Sequence, residues 1–174
     1  MTSLRRFECN DLFRFNHVNL DHLTETYNMT FYQQYLVAWP ELFVSAEMPG
    51  DRMAGYMMGK VEGRGENWHG HVTAVTVSLE YRRLGLAQLL MGYLERLSEQ
   101  AYNGYFVDLY VRKGNQLAVD MYKQLGYIVY RQVIGYYSGE EDAYDMHKAL
   151  PRDKDKKSMI GLPHPVYPGE QDMW

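Results

Sequence analysis

The chain has 174 residues, 46% of them hydrophobic, with a formal net charge of −4 and one cysteine. That length suits one domain with a sizeable core plus some tail, the acidic balance argues against a general nucleic-acid binder, and a lone Cys9 excludes an internal disulfide framework. No run approaches the roughly 20 apolar residues of a membrane span, and Arg5, Arg6 and Glu8 spoil any secretory signal, so a cytoplasmic protein is expected.

Leu4 to Glu8 predicts a short strand, and Asn10 is the candidate N-cap of a helix carrying Leu12, Phe13, Phe15 and Val18. A polar, acidic stretch follows from Leu20 to Asn28. Phe31 to Trp39, stopped by Pro40, reads as a helix apolar nearly all round, which either the core or a partner must cover. Leu42 to Met48 and Met53 to Glu62 are strands joined by the Pro49-Gly50-Asp51-Arg52 turn.

The central stretch comes next. Val72 to Val77 is rich in β-branched residues, as a packed strand favours. Leu86, Leu89, Leu90, Tyr93, Leu94 and Leu97 then recur at intervals of three and four, the pattern of an amphipathic helix. Between them Arg82, Arg83 and Gly85 crowd cations and backbone amides at a helix start, which is a phosphate-binding arrangement. The P-loop and dinucleotide fingerprints are absent.

Tyr105 to Val111 is a strand, Asn115 to Leu125 a short helix stopped by Gly126, Tyr127 to Tyr137 a strand, and Ala143 to Leu150 the last strand. Hairpins together with crossover helices predict a mixed sheet in an α/β, layered α+β architecture. Residues 1–150 are expected to form the domain. Residues 151–174, charged and then proline-rich, are expected to form an extended tail suited to docking on a partner.

Arg82-Arg83-Leu84-Gly85-Leu86-Ala87 fits Gln/Arg-x-x-Gly-x-Gly/Ala and resembles the pyrophosphate loop of the GNAT acetyltransferases. Longer stretches, among them Leu12-Phe13-Arg14-Phe15-Asn16, Leu23-Thr24-Glu25-Thr26-Tyr27, Trp68-His69-Gly70-His71-Val72-Thr73-Ala74 and Asp142-Ala143-Tyr144-Asp145-Met146, resemble catalytic subunits of the NatB-type N-terminal acetyltransferases. The resemblance implies the GNAT fold, a mixed and mostly antiparallel sheet with splayed central strands flanked by helices. It implies acetyl-CoA as cosubstrate without a metal, and transfer to the α-amine of chains starting Met-Asp, Met-Glu, Met-Asn or Met-Gln. As partners it implies a large helical-repeat auxiliary subunit, the ribosome through that subunit, and nascent N-termini, with no direct nucleic acid and no membrane.

The resemblance also implies roles. Val75 and Val77 offer backbone groups to the amide arm of the cofactor, and Arg82, Arg83, Leu84, Gly85, Leu86 and Ala87 cradle its pyrophosphate. Asn115 and Tyr122 match the positions facing the thioester end, where Tyr122 could protonate the departing thiolate. Tyr137 would position the peptide. Leu23, Glu25, Tyr27 and Ala74 match the surroundings of the N-terminal methionine.

Two inferences come from the residues themselves. His71 and Thr73 are two apart on a strand and share a face, so both can hydrogen-bond a carboxylate or carboxamide. An α-amine with a pKa near 8 is about one-tenth neutral at pH 7, so direct attack on a thioester needs only modest base help; His71 is a water-mediated candidate for that base, which stays unassigned. A GNAT acting on lysine or small amines and a non-catalytic CoA-binding scaffold are the competing readings.

Overall fold

A computed structural model of the chain describes residues 2–170. Residues 171–174 of the expected tail lie outside the described residues. Among the described residues seven strands, β1 (Ser3–Arg6), β2 (Phe43–Met48), β3 (Arg52–Glu62), β4 (His69–Val77), β5 (Phe106–Arg112), β6 (Ile128–Tyr137) and β7 (Glu141–Ala149), lie in the order β1-β2-β3-β4-β5-β7-β6. The chain divides into two compact units, Met1–Lys60 with Val72–Leu97, and Val61–His71 with Ser98–Trp174.

The first unit begins with β1 (Ser3–Arg6), antiparallel to β2 (Phe43–Met48), which in turn pairs antiparallel with β3 (Arg52–Glu62). The helix expected after Asn10 is instead two 3-10 turns, Cys9–Phe13 and Asn16–Asn19. Glu8, not Asn10, starts the first turn, through a reciprocal capping box with Asp11. Asp11 is buried and also takes Arg5 through both carboxylate oxygens, at 2.7 and 2.8 Å. The same carboxylate accepts from Glu8 N at 2.8 Å, which fixes where the turn begins.

The helix α1 (Met29–Ala38) is capped by Asn28, whose side chain accepts from Phe31 N at 2.9 Å. It buries Tyr32 and Tyr35 and leaves Val37 84% exposed, so the core covers one of its faces. Phe7, Phe15, Tyr32, Phe43 and Tyr56 form the aromatic centre of this unit, with Phe7 stacked on Phe43 at 4.2 Å. β4 (His69–Val77) leads through a 3-10 turn and the 82–85 loop to α2 (Leu86–Gln100). Leu86, Leu90 and Leu94 are buried, as the periodicity required, and Met91 is buried beside them, while Leu89, expected on the same stripe, faces outward.

In the second unit β5 (Phe106–Arg112) pairs antiparallel with β7 (Glu141–Ala149), and β7 with β6 (Ile128–Tyr137). The helix α3 (Gln116–Gln124) sits between β5 and β6 in the chain. Residues 151–170 pack on their own chain. Asp153 accepts from Lys157 N, Ser158 N and Ser158 Oγ at 3.0, 2.9 and 2.6 Å, and Val166 bridges Val133 beside the β6 edge. Among the described residues no helix is long and apolar enough to cross a membrane.

Candidate active site

In the first unit, Thr73 is half-buried on β4 and its Oγ1 lies 2.7 Å from the Tyr35 hydroxyl of α1. The Tyr27 hydroxyl donates to the Thr73 carbonyl at 3.3 Å, and the Tyr27 ring stacks on Phe31 at 4.4 Å. The loop of Leu23, Glu25 and Tyr27 is thereby held against the strand that carries Thr73. Leu23 is 37% exposed, Glu25 is half-buried, and Ala74 packs on the aromatic cluster.

Val77 is buried with Ala54 and Leu86, and Val75 is half-buried. β3 and β4 approach closely here: a Cβ on Gly55 would lie 2.6 Å from the Thr76 carbonyl, so only glycine fits. After β4 the chain turns through two left-handed residues, Arg83 at φ 63° and Gly85 at φ 77°. Leu89 N donates to Gly85 O, so the amides just before it have no intrahelical acceptor. A Cβ on Gly85 would meet nothing within 4 Å, and Arg83, Leu84 and Gly85 are exposed. Open space, free amides and adjacent cations fit a pyrophosphate. Arg82, expected on the phosphates, here donates to Asp21 at 2.7 Å and to the Val77 carbonyl at 3.3 Å. Asp21 accepts from Leu23 N as well, and these bonds, the Leu23 amide first and Arg82 second, lower its pKa.

In the second unit His71 is half-buried on β4, with Nδ1 2.7 Å from Asp108 Oδ1 on β5. His69 Nε2 approaches the same oxygen at 3.4 Å, and its Nδ1 lies 2.5 Å from the Asn67 carbonyl. Burial alone would raise the Asp108 pKa, but the two histidines drive it well below the usual carboxylate range. Desolvation would lower the His69 pKa, but the Asp108 charge, with the Asn67 carbonyl and Glu62, pushes it up to about 9.

Tyr137 connects to this cluster through rings. Its ring meets Tyr136 edge-on at 5.0 Å, Tyr136 stacks on Tyr110 at 4.7 Å, and Tyr110 lies 5.8 Å from the His71 ring. Arg112 sits over Tyr137 at 4.2 Å. Asn115 caps α3, accepting from Ala118 N at 3.2 Å, and Tyr122 stands two turns further along the same helix. Burial pushes the Tyr122 pKa up, so its phenol keeps its proton through the physiological range.

A cavity of about 450 Å³ lies within this unit, with His69, Asp108, Tyr110, Arg131 and His147 in its walls and residues 152–155 with Lys157 and Ser158 along one side. Sequence reasoning missed Asp108, His69, Tyr35, Asp21, Tyr110 and Tyr136. A signal for Asp108 existed: a lone carboxylate between Val107 and Leu109 in an apolar strand must find a buried partner.

The model of the acetyltransferase (GNAT) family matches residues 8–127. The N-terminal acetyltransferase B complex catalytic subunit NAA20 of Arabidopsis thaliana is 62% identical over 170 residues, covering 98% of each chain. The structure of Chaetomium thermophilum Naa20 in complex with a bisubstrate analogue superposes with a TM-score of 0.91 at 40% identity, covering 99% of both chains. A NatB acetyltransferase complex bound to CoA and MES contains a chain that matches with a TM-score of 0.79 and 47% identity, over 86% of this chain and 99% of that one.

Proposed function

The chain belongs to the acetyltransferase (GNAT) family as a NatB-type catalytic subunit, and from that premise we propose that it acetylates the α-amine of proteins starting Met-Asp, Met-Glu, Met-Asn or Met-Gln. Acetyl-CoA supplies the thioester, and an auxiliary helical-repeat subunit accompanies the chain and brings it to nascent N-termini at the ribosome.

The left-handed, open Gly85 turn at the head of α2 is the observation that carries the cofactor reading. Arg83 and the first amides of α2 would hold the pyrophosphate, while Arg82 braces the turn on Asp21. The backbone of Val75 and Val77 would align the amide arm of the cofactor. Leu23, Glu25, Tyr27 and Ala74 would enclose the N-terminal methionine, with Tyr137 over the peptide. His71 and Thr73 would hold the second residue. A buried site built for hydrogen bonding rejects side chains that leave it unpaired.

Transfer is direct, without an acyl-enzyme. The chain's task is to orient a neutral amine, to exclude water, and to return a proton to the leaving sulfur. Tyr122 would serve the last step, since its phenol is protonated at neutral pH and can donate, although burial makes it a weaker acid. Asn115, fixed as a cap, would orient the thioester end.

The test is acetyl transfer to peptides starting Met-Asp, Met-Asn, Met-Ala and Ser-Glu and to one with only an internal lysine, with and without the auxiliary subunit. Acetylation of the first two alone is expected. Transfer to lysine would replace this reading with a side-chain enzyme, and cofactor binding without turnover would replace it with a scaffold.

A further inference from the structure

The cavity of the second unit has a floor of aromatic rings. His69 of β4 stacks on Phe106 of β5 at 4.5 Å, Phe106 on His147 of β7 at 4.6 Å, and His147 on Tyr130 of β6 at 4.0 Å. All four line the cavity. Their faces are taken up by one another, so they turn their edges to it. Aromatic edges carry partial positive charge, which suits the carbonyl oxygens present in every peptide.

The charged groups around this floor are already paired. Arg131 Nε donates to Asp145 at 2.8 Å, Lys157 Nζ to Glu66 at 2.9 Å, and Arg152 Nη1 to the Asn103 carbonyl at 2.6 Å. Asp108 lies against both His69 and His71. These pairings leave the walls without a strong preference for a side chain of either sign. The 152–158 segment is fastened to the floor it faces, because the Ser158 carbonyl accepts from His147 Nδ1 at 3.0 Å.

The cavity adjoins His71. Asp108, one of its lining residues, lies 2.7 Å from His71 Nδ1, and the ring of Tyr110, another, lies 5.8 Å from the imidazole. β4 begins at His69, two residues before His71 and on the same face. The cofactor is read at the other end of that strand, so a substrate held at His71 by its second residue leads its later residues toward His69.

We propose that this cavity takes the third to fifth residues of the substrate chain through their backbone, with the 152–158 segment as one wall. The proposal rests on the reading that His71 faces the second residue. Three extended residues span about 10 Å, and a volume of about 450 Å³ is in the range of sites that enclose a ligand. Such a subsite adds affinity for any chain long enough to reach it and leaves the choice of sequence to the second residue.

The experiment measures kcat/KM with the chain in complex with its auxiliary subunit, on amidated Met-Asp peptides extended by none to six alanines. A rise of at least tenfold is expected between none and three alanines, with a plateau beyond. Replacing those three alanines by glutamate, lysine or leucine should change kcat/KM less than threefold. Glu66 and Lys154 are exposed at the rim of the cavity, and an exposed ion pair such as Glu66–Lys157 adds little stability. Glu66→Trp and Lys154→Trp put bulk into the cavity at two separate points, and each, with its Tm retained, should cut the length ratio below threefold. A wild-type length ratio within twofold, or a ratio unchanged in both variants, overturns the proposal and leaves the acetyltransferase reading intact. Weakened assembly with the auxiliary subunit at an unchanged length ratio would assign the cavity to that subunit instead. Acetylation of Met-Ala peptides as fast as Met-Asp peptides would overturn the underlying reading of His71.

Discussion

The Tyr35 hydroxyl lies 2.7 Å from Thr73 Oγ1, tying a helix of the first unit to the strand that carries the proposed selector. Tyr35→Phe removes that partner and keeps the ring in the aromatic cluster. One hydrogen bond is worth about 1 kcal/mol, so KM for Met-Asn peptides should rise about fivefold while KM for acetyl-CoA stays within twofold. Steady-state kinetics with each substrate varied decides it; equal rises in both constants would point to a general loss of packing.

Gly85 separates folding from cofactor binding. Its left-handed backbone makes alanine unfavourable by about 1–2 kcal/mol, yet a Cβ there touches no protein atom. Gly85→Ala should therefore lower Tm by only a few degrees and raise KM for acetyl-CoA at least tenfold. Unchanged acetyl-CoA affinity would remove the turn from the pyrophosphate site.

Tyr122→Phe should leave the fold and both KM values nearly unchanged and lower kcat by about a hundredfold, the scale of one proton-transferring group. A kcat within threefold of wild type would assign the proton to water.

His69 sets a pH dependence of stability. Its pKa is raised on folding, so the stabilisation is complete below about pH 6.5 and is lost as pH rises through about 9. The amount is up to about 3 kcal/mol. Urea unfolding at pH 6.5 and pH 9.5 should show that loss in wild type, and His69→Gln should be less stable at pH 6.5 and nearly insensitive to the change. An equal loss in both proteins would place the effect elsewhere.

Asp153 accepts three bonds from the segment that follows it. Asp153→Ala should destabilise by about 1–2 kcal/mol, as loss of a helix cap does, measurable as a shift of the urea midpoint with unaltered slope.

Much of this architecture is legible in the sequence because single elements report themselves. The α2 stripe of Leu86, Leu90 and Leu94 and the valines of β4 follow from period alone. The segment after Glu8 misled, since Leu12, Phe15 and Val18 show helical spacing yet are buried from two short turns pinned by Asp11. Within the site, the residues proposed to touch ligands were readable through family resemblance. Asp108, Asp21 and Tyr35 act on those residues through pairings that no local pattern encodes: Asp108 meets His71 across 37 positions, Asp21 meets Arg82 across 61, and Tyr35 meets Thr73 across 38.

The segment from Leu162 to Val166 lies along β6: Leu162 N donates to Tyr130 O, Val166 N to Gln132 O, and Ile134 N to Val166 O. An outermost strand with bare amides and carbonyls is adhesive toward other chains. Here the protein's own backbone occupies those groups, so this margin offers little purchase for sheet-to-sheet aggregation. Clipping the chain before residue 162 would turn a quiet border into a sticky one.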